Sequence, residues 1–246
     1  MNGFVSVFKR ELKSYFSTPL AYVFLVIFLF FSSFIPFQKG FFDMRQASMQ
    51  LFFENMPLLF IFLVPAMAMR LWAEERRSNS VELLFTLPIT IPQAVLAKFF
   101  AAWTVLALAL VLTCPMVFTV CYLGDPDWGA IVTGYAGSLL LAGAYLAIGS
   151  FFSSLSRNQV IAFVLAVVAC ASFFFVGSPA VLDTLSMLWF VPAGMVTALE
   201  TLSVRLRFES IQRGMLQLQD VAFFVLLAAG WLWANMIALK ERMAAG

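Results

Sequence analysis

Four consecutive charges, Glu74, Glu75, Arg76 and Arg77, stand between two long apolar segments in the stretch LWAEERRSNSVELLFTLP, Leu71 to Pro88. The chain around them is 63% hydrophobic and only 11% charged, so the cluster has to be accounted for. Two uses are open: a solvated loop that marks one side of a membrane, or a surface that pairs with charges on something else. Catalysis is poorly served by the composition. The chain holds no histidine, which excludes His-based triads, the HExxH zinc motif and haem ligation by His. Cys114, Cys121 and Cys170 fall inside apolar runs with no CxxC or metal spacing, and they read as packing residues, so no metal site is expected. A net charge of +2 gives no bulk electrostatic reason to expect nucleic acid or an acidic partner.

Behind the charges come Ser78, Asn79 and Ser80, all of capping type. Asn79 as N-cap with Glu82 three residues on has capping-box spacing, and Pro88 cannot continue a helix. The expectation is a short helix over about Ser80–Leu87. Val81, Leu84 and Phe85 share one face, and Leu83 and Leu87 widen it. Two turns do not hold a helix alone in water, so it needs a surface to dock on. The rest of the protein, the lipid or a partner would each serve.

The elements that must position this stretch are membrane spans. Of 246 residues, 29 are phenylalanine, and several uncharged runs reach the ~20 residues needed to cross ~30 Å of hydrocarbon. Six spans are expected, at about 20–37, 51–71, 94–123, 129–152, 160–177 and 221–239, with 72–93 as a charged loop and 178–220 as a longer segment on the other side. Residues 3–17 read as a helix lying along the membrane surface, apolar at three- and four-residue spacing with Lys9, Arg10 and Lys13 between. The stretch has no small-residue cleavage site after its charges and does not read as a cleavable signal. With the N-terminus inside, cytoplasmic segments hold ten of the 15 lysines and arginines and outer segments hold five, which places both termini in the cytoplasm. Thr184–Leu199 is uncharged but interrupted by Pro192 and Gly194. It reads as a re-entrant or interfacial segment, with a full crossing as the alternative. The fold class is therefore an all-α polytopic membrane protein: six spans, an N-terminal interfacial helix, a short cytoplasmic helix and an outer re-entrant or interfacial segment between spans five and six. The fourth span carries Ala130, Gly134, Ser138 and Ala142 at every fourth position. Such a stripe serves close packing within the chain or a dimer seam.

On the outer side, Glu54 and Asn55 sit at the end of span two, where an interfacial role and a part in a transport path are both open. Glu209 and Arg213 are spaced to pair along a helix, structurally or as part of an outer gate.

The stretch AEERRSNSVELLFTLPIT resembles the intracellular loop of ABC-2 type transporter permeases, and the resemblance covers the whole chain. FKRELKSYFSTPLAYVF before span one matches it, and FESIQRGMLQLQDVAFF resembles the gliding-motility-associated branch, whose relatives include the permease of nitrous-oxide reductase maturation. Asn79 and Ser80 replace a common Gly-Thr, and Gln217 stands near where that branch often has an acidic residue. The resemblance implies a single ABC-2 type transmembrane domain over 1–246 in the bacterial inner membrane, a permease that dimerises with a second copy or a related permease. It implies a coupling helix seated in a cytoplasmic ATPase, with Glu74, Glu75, Arg76, Arg77, Val81, Glu82, Leu83, Leu84 and Phe85 as contacts. It also implies a connecting helix that includes Phe8, Lys9, Arg10 and Glu11. ATP and Mg would be bound by the partner, since this chain has no GxxxxGK[ST]. An envelope auxiliary protein is a further implied partner. Two other classes remain in view: an ATPase-driven adaptor that transmits force without transport, and a membrane-embedded enzyme, for which the chain lacks a GxSxG elbow or a carboxylate pair in its spans.

Overall fold

A computed structural model describes residues 3–41, 48–78, 89–187, 194 and 201–244, and within them every regular element is a helix. In chain order these are α1 (Gly3–Ser17), α2 (Pro19–Gln38), α3 (Gln50–Ala68), α4 (Arg70–Arg77), α5 (Ile91–Val111), α6 (Cys114–Leu123), α7 (Trp128–Leu155), α8 (Gln159–Phe175), α9 (Pro179–Met187), α10 (Val204–Gln212) and α11 (Leu218–Ala244). Five helical runs among the described residues are long and apolar enough to cross a membrane: Ala21–Gln38, Gln50–Arg77, Ile91–Leu123, Trp128–Leu155 and Leu218–Arg242. Gln159–Phe175 is equally apolar at 17 residues. The protein is an all-α polytopic membrane protein.

One helix is enclosed by the others: α7, whose side chains are buried without a break from Leu141 to Ser150. α3, α4, α5, α8, α10 and α11 all pack on it. Glycines let them approach: Gly134 lies against the Phe53 ring, Gly137 against Ile211, Gly143 against Trp103 and Gly149 against Ala68. In lipid, where apolar surface alone does not drive helices together, such close packing is the main source of association. The small-residue stripe of the fourth span is spent in this way, since Gly134, Ser138 and Ala142 are all buried within the chain. The helix begins where Asp127 accepts hydrogen bonds from the Gly129 and Ala130 N–H groups at 2.8 and 3.3 Å.

Two breaks depart from the spans expected from sequence. The run 94–123 divides at Leu112–Thr113, because Pro115 has no N–H to continue the ladder and its ring crowds the preceding turn. Thr113 Oγ1 donates to the Leu110 carbonyl at 2.6 Å and lies 2.8 Å from the Tyr135 hydroxyl. Span two does not end in a loop at residue 71. After a turn at Met69 it continues as α4, so Glu74–Arg77 are helical. The acids precede the bases along α4, which places Arg76 and Arg77 in the last turn, where the helix dipole favours cations.

The passes define two ends. At one lie α1, α4, the start of α5 and the end of α7. At the other lie the end of α2, the start of α3, the α6–α7 turn and α10. The stretch Thr184–Leu199, expected to be re-entrant or interfacial, falls mostly outside the described residues.

Gly149 gives a direct test of this packing. Replacing it with valine forces a side chain onto Ala68 and Pro65. Overpacking of this kind costs about 1–3 kcal/mol. The thermal midpoint of the detergent-solubilised protein should fall, whereas valine at Gly230, where an added Cβ meets nothing within 4 Å, should leave it nearly unchanged.

Candidate functional site

Lys98 lies two turns into α5, the only charge in that helix, and its side chain is 2% exposed. A buried ammonium must be paired or lose its charge. Its Nζ reaches Glu75 Oε1 at 3.0 Å and Glu11 Oε1 at 3.2 Å. Arg10 closes the arrangement from the solvent side, with its guanidinium 3.2 Å from Glu75 Oε1 and 2.8 Å from Glu11 Oε1. The result is a four-membered ring of alternating sign that joins α1, α4 and α5. The Trp72 ring lies below it, with Lys98 Nζ 5.0 Å from the ring centroid.

Each helix carries its charge to the ring for a local reason. Phe4 and Phe8 stack at 6.3 Å, and Phe4 meets Phe100 edge-on at 6.4 Å, so the aromatic face of α1 lies along α5 and turns Glu11 inward. α5 starts cleanly because the Thr90 N–H donates to Gln93 Oε1 at 3.2 Å. α4 brings Glu75 inward and leaves Glu74 outside, where Glu74 pairs with Arg70 at 2.7 Å. Arg76 reaches across to the Ser154 carbonyl of α7, and Arg157 and Arg242 are near enough to act on it electrostatically.

A hydroxyl holds the joint between α3 and α4. Ser153 Oγ donates to the Met69 carbonyl at 2.8 Å and accepts from the Trp72 and Ala73 N–H groups at 3.0 and 3.1 Å. It stands in for helix bonds that the turn at Met69 would otherwise leave unmade inside the protein. α4 is thereby tied to α7 as well as to α1 and α5.

The charges expected to act at this end separate into groups. Arg10, Glu11 and Glu75 meet in the ring, and Arg76 is bound to α7. Glu74 and Arg77 are exposed, as is Lys9, while Phe8 is half-buried on α1. Val81, Glu82, Leu83, Leu84 and Phe85, with the expected cap Asn79, lie outside the described residues. Sequence reasoning missed Lys98 and Ser153. A lone lysine inside an apolar run marks Lys98, whereas Ser153 carries no sequence signal.

At the opposite end, Lys39 Nζ donates to Asn55 Oδ1 at 2.7 Å, and Arg213 pairs with Glu209 at 2.6 Å. Glu54 and Glu209 line a cleft of about 300 Å³, and Arg213 lines a neighbouring one of about 270 Å³. Beside them Arg207 holds the buried Asp220 at 3.1 Å, tying α10 to the start of α11.

Against this helical arrangement, residues 37–234 match the family model described as ABC-2 family transporter protein. The chain belongs to the ABC-2 transporter family. It is a membrane permease component of an ABC transporter. Comparison with curated proteins finds no match. In this ABC-2 permease, Glu75 and Lys98 lie within the matched residues, while Arg10 and Glu11 precede them.

Removing one member of a buried ion pair strands its partner. Lys98→Met should destabilise the permease by about 3 kcal/mol, against less than about 1 kcal/mol for Arg10→Ala, whose side chain is half exposed. Unfolding midpoints in detergent compare the two, and equal effects would contradict the ring. Burial alone would raise the Glu11 carboxyl, but Lys98 and Arg10 outweigh it and hold the group below its ordinary value of 4.5. Its contribution is therefore fully present above about pH 4.5 and is lost as pH falls through the lowered value. Glu11→Gln should flatten the acid limb of stability against pH.

Proposed function

We propose that this permease dimerises and docks a separate cytoplasmic ATP-hydrolysing subunit at its charged end, and that nucleotide-driven closure of that subunit drives export of a substrate across the bacterial cytoplasmic membrane. ATP and Mg belong to the partner. The permease crosses the membrane six times, α8 being the fifth crossing, with both termini in the cytoplasm. The distribution of lysine and arginine supports that orientation.

The observation that carries this reading is the ring of Arg10, Glu11, Glu75 and Lys98. It fastens α1, α4 and α5 into one block beside the segment in which the sequence places the coupling helix, Ser80–Leu87. That segment lies between α4 and α5 in the chain, so both of its ends are attached to the block. A push received there moves three helices together. Glu74 and Arg77 remain exposed and are available to the ATPase, whereas Glu75 is engaged in holding the lever together.

Co-expression with an ATPase encoded nearby tests the reading. Glu82→Arg with Leu84→Asp should abolish co-purification without changing membrane insertion. Lys98→Met should keep co-purification but reduce transport-coupled ATP turnover by about tenfold, since a loosened lever still docks. Association that survives the double substitution would overturn the docking site.

A further inference from the structure

The cleft at the opposite end has a composition that the docking reading does not use. Its walls come from the end of α2, the start of α3, the end of α8 and α10. Lys39 and Arg205 line it, and among the described residues neither has a carboxylate within ion-pair distance. Lys39 is satisfied by the neutral Asn55, and Arg205 stacks on the Phe174 ring at 6.0 Å. Glu54 also lines the cleft and has no cation paired with it among the described residues. Gln212 is 8% exposed, yet its Oε1 is a buried acceptor with no hydrogen-bond donor. A buried, unsatisfied amide carbonyl on a cavity wall calls for a donor brought in from outside.

The polar and apolar parts of the cleft are segregated. On α3 the lining runs from Gln50 and Glu54 to Pro57 and Leu58, so eight residue steps carry it about 12 Å along the helix axis from polar to apolar. Leu58 and Phe175 form the apolar margin and are 42% and 48% exposed, on the faces of two helices of the membrane bundle. A soluble ligand would have no use for that margin. A lipid would lay its acyl chains along it and its head in the cleft.

We propose that this cleft binds the head group of a phospholipid that carries both a phosphodiester and a primary ammonium. The phosphodiester sits between Lys39 and Arg205, the latter a guanidinium whose planar donors suit phosphate oxygens. The ammonium donates to Glu54 and to Gln212 Oε1, which removes the unsatisfied acceptor. The inference needs only that the bundle lies in a bilayer, and it stands or falls independently of the ATPase.

The test uses the full-length permease reconstituted in vesicles of equimolar phosphatidylethanolamine and phosphatidylglycerol, released gently, with retained lipid counted by native mass spectrometry. The wild type should retain phosphatidylethanolamine in excess of phosphatidylglycerol by about tenfold, the discrimination that charge-assisted hydrogen bonds supply. Glu54→Gln, an exposed position that should not disturb folding, should erase the excess while leaving phosphatidylglycerol retention unchanged. Arg205→Ala should lower retention of both. Free glycerophosphoethanolamine should fail to displace the lipid at millimolar concentration. Equal retention of the two lipids by the wild type would overturn the proposal. So would an excess that Glu54→Gln leaves intact, or displacement by the free head group.

Discussion

The charged end of this permease is organised by one constraint: the ammonium of Lys98 is buried in an otherwise uncharged helix. Taking such a charge out of water costs several kcal/mol, and only well-placed opposite charges recover it. α5 offers none, so the carboxylates must come from elsewhere in the chain. Glu11 arrives on α1 and Glu75 on α4, and each does so only if its helix is formed and docked. Two carboxylates beside one ammonium leave an excess of negative charge, which Arg10 balances from the solvent side. Three separate helices are thus committed to one another by electrostatic need, and Trp72 closes the base of the site.

The second joint has a different character. Ser153 is neutral, and its hydroxyl works by taking a place in the backbone ladder at the turn between α3 and α4. The ring and this hydroxyl both act on α4, which is held to α1 and α5 by charge and to α7 by hydrogen bonds. Since α7 is the buried centre of the bundle, displacement of α4 reaches most of the other helices through contacts that have little room to yield. The close approaches at Gly149 and Gly134 make that transmission tight.

Much of this was legible in the sequence because the forces involved leave periodic or compositional traces. Uncharged runs gave the membrane class, and four consecutive charges in an apolar chain marked the Glu74–Arg77 stretch as special. What could not be read was where each charge goes. Glu74 and Glu75 are adjacent and chemically alike, yet one faces solvent with Arg70 and the other the ring, a difference set by helical phase once α4 is known to be helical. That helicity was itself hidden, because a charge run after a span reads equally well as a loop until Ser153 supplies the bonds that carry the helix past Met69. The division at Thr113 was visible in principle through Pro115. Glu54 and Glu209 were noticed for their charge, but their meeting at one cleft depends on α3 and α10 lying side by side, which no local pattern encodes.

The central claim is that α1, α4 and α5 move as one body when force enters at the charged end. The most direct measurement is electron–electron distance spectroscopy on the permease bound to the ATPase proposed to dock at that end, the three native cysteines being replaced by alanine. One pair of labels sits at exposed Lys9 and Arg77, and a second at Arg77 and exposed Tyr122 toward the opposite end. On trapping nucleotide in the ATPase, the Lys9–Arg77 distance should hold constant with an unbroadened distribution while the Arg77–Tyr122 distance shifts. A Lys9–Arg77 distance that changes or broadens in the wild type would contradict a rigid lever built on Lys98.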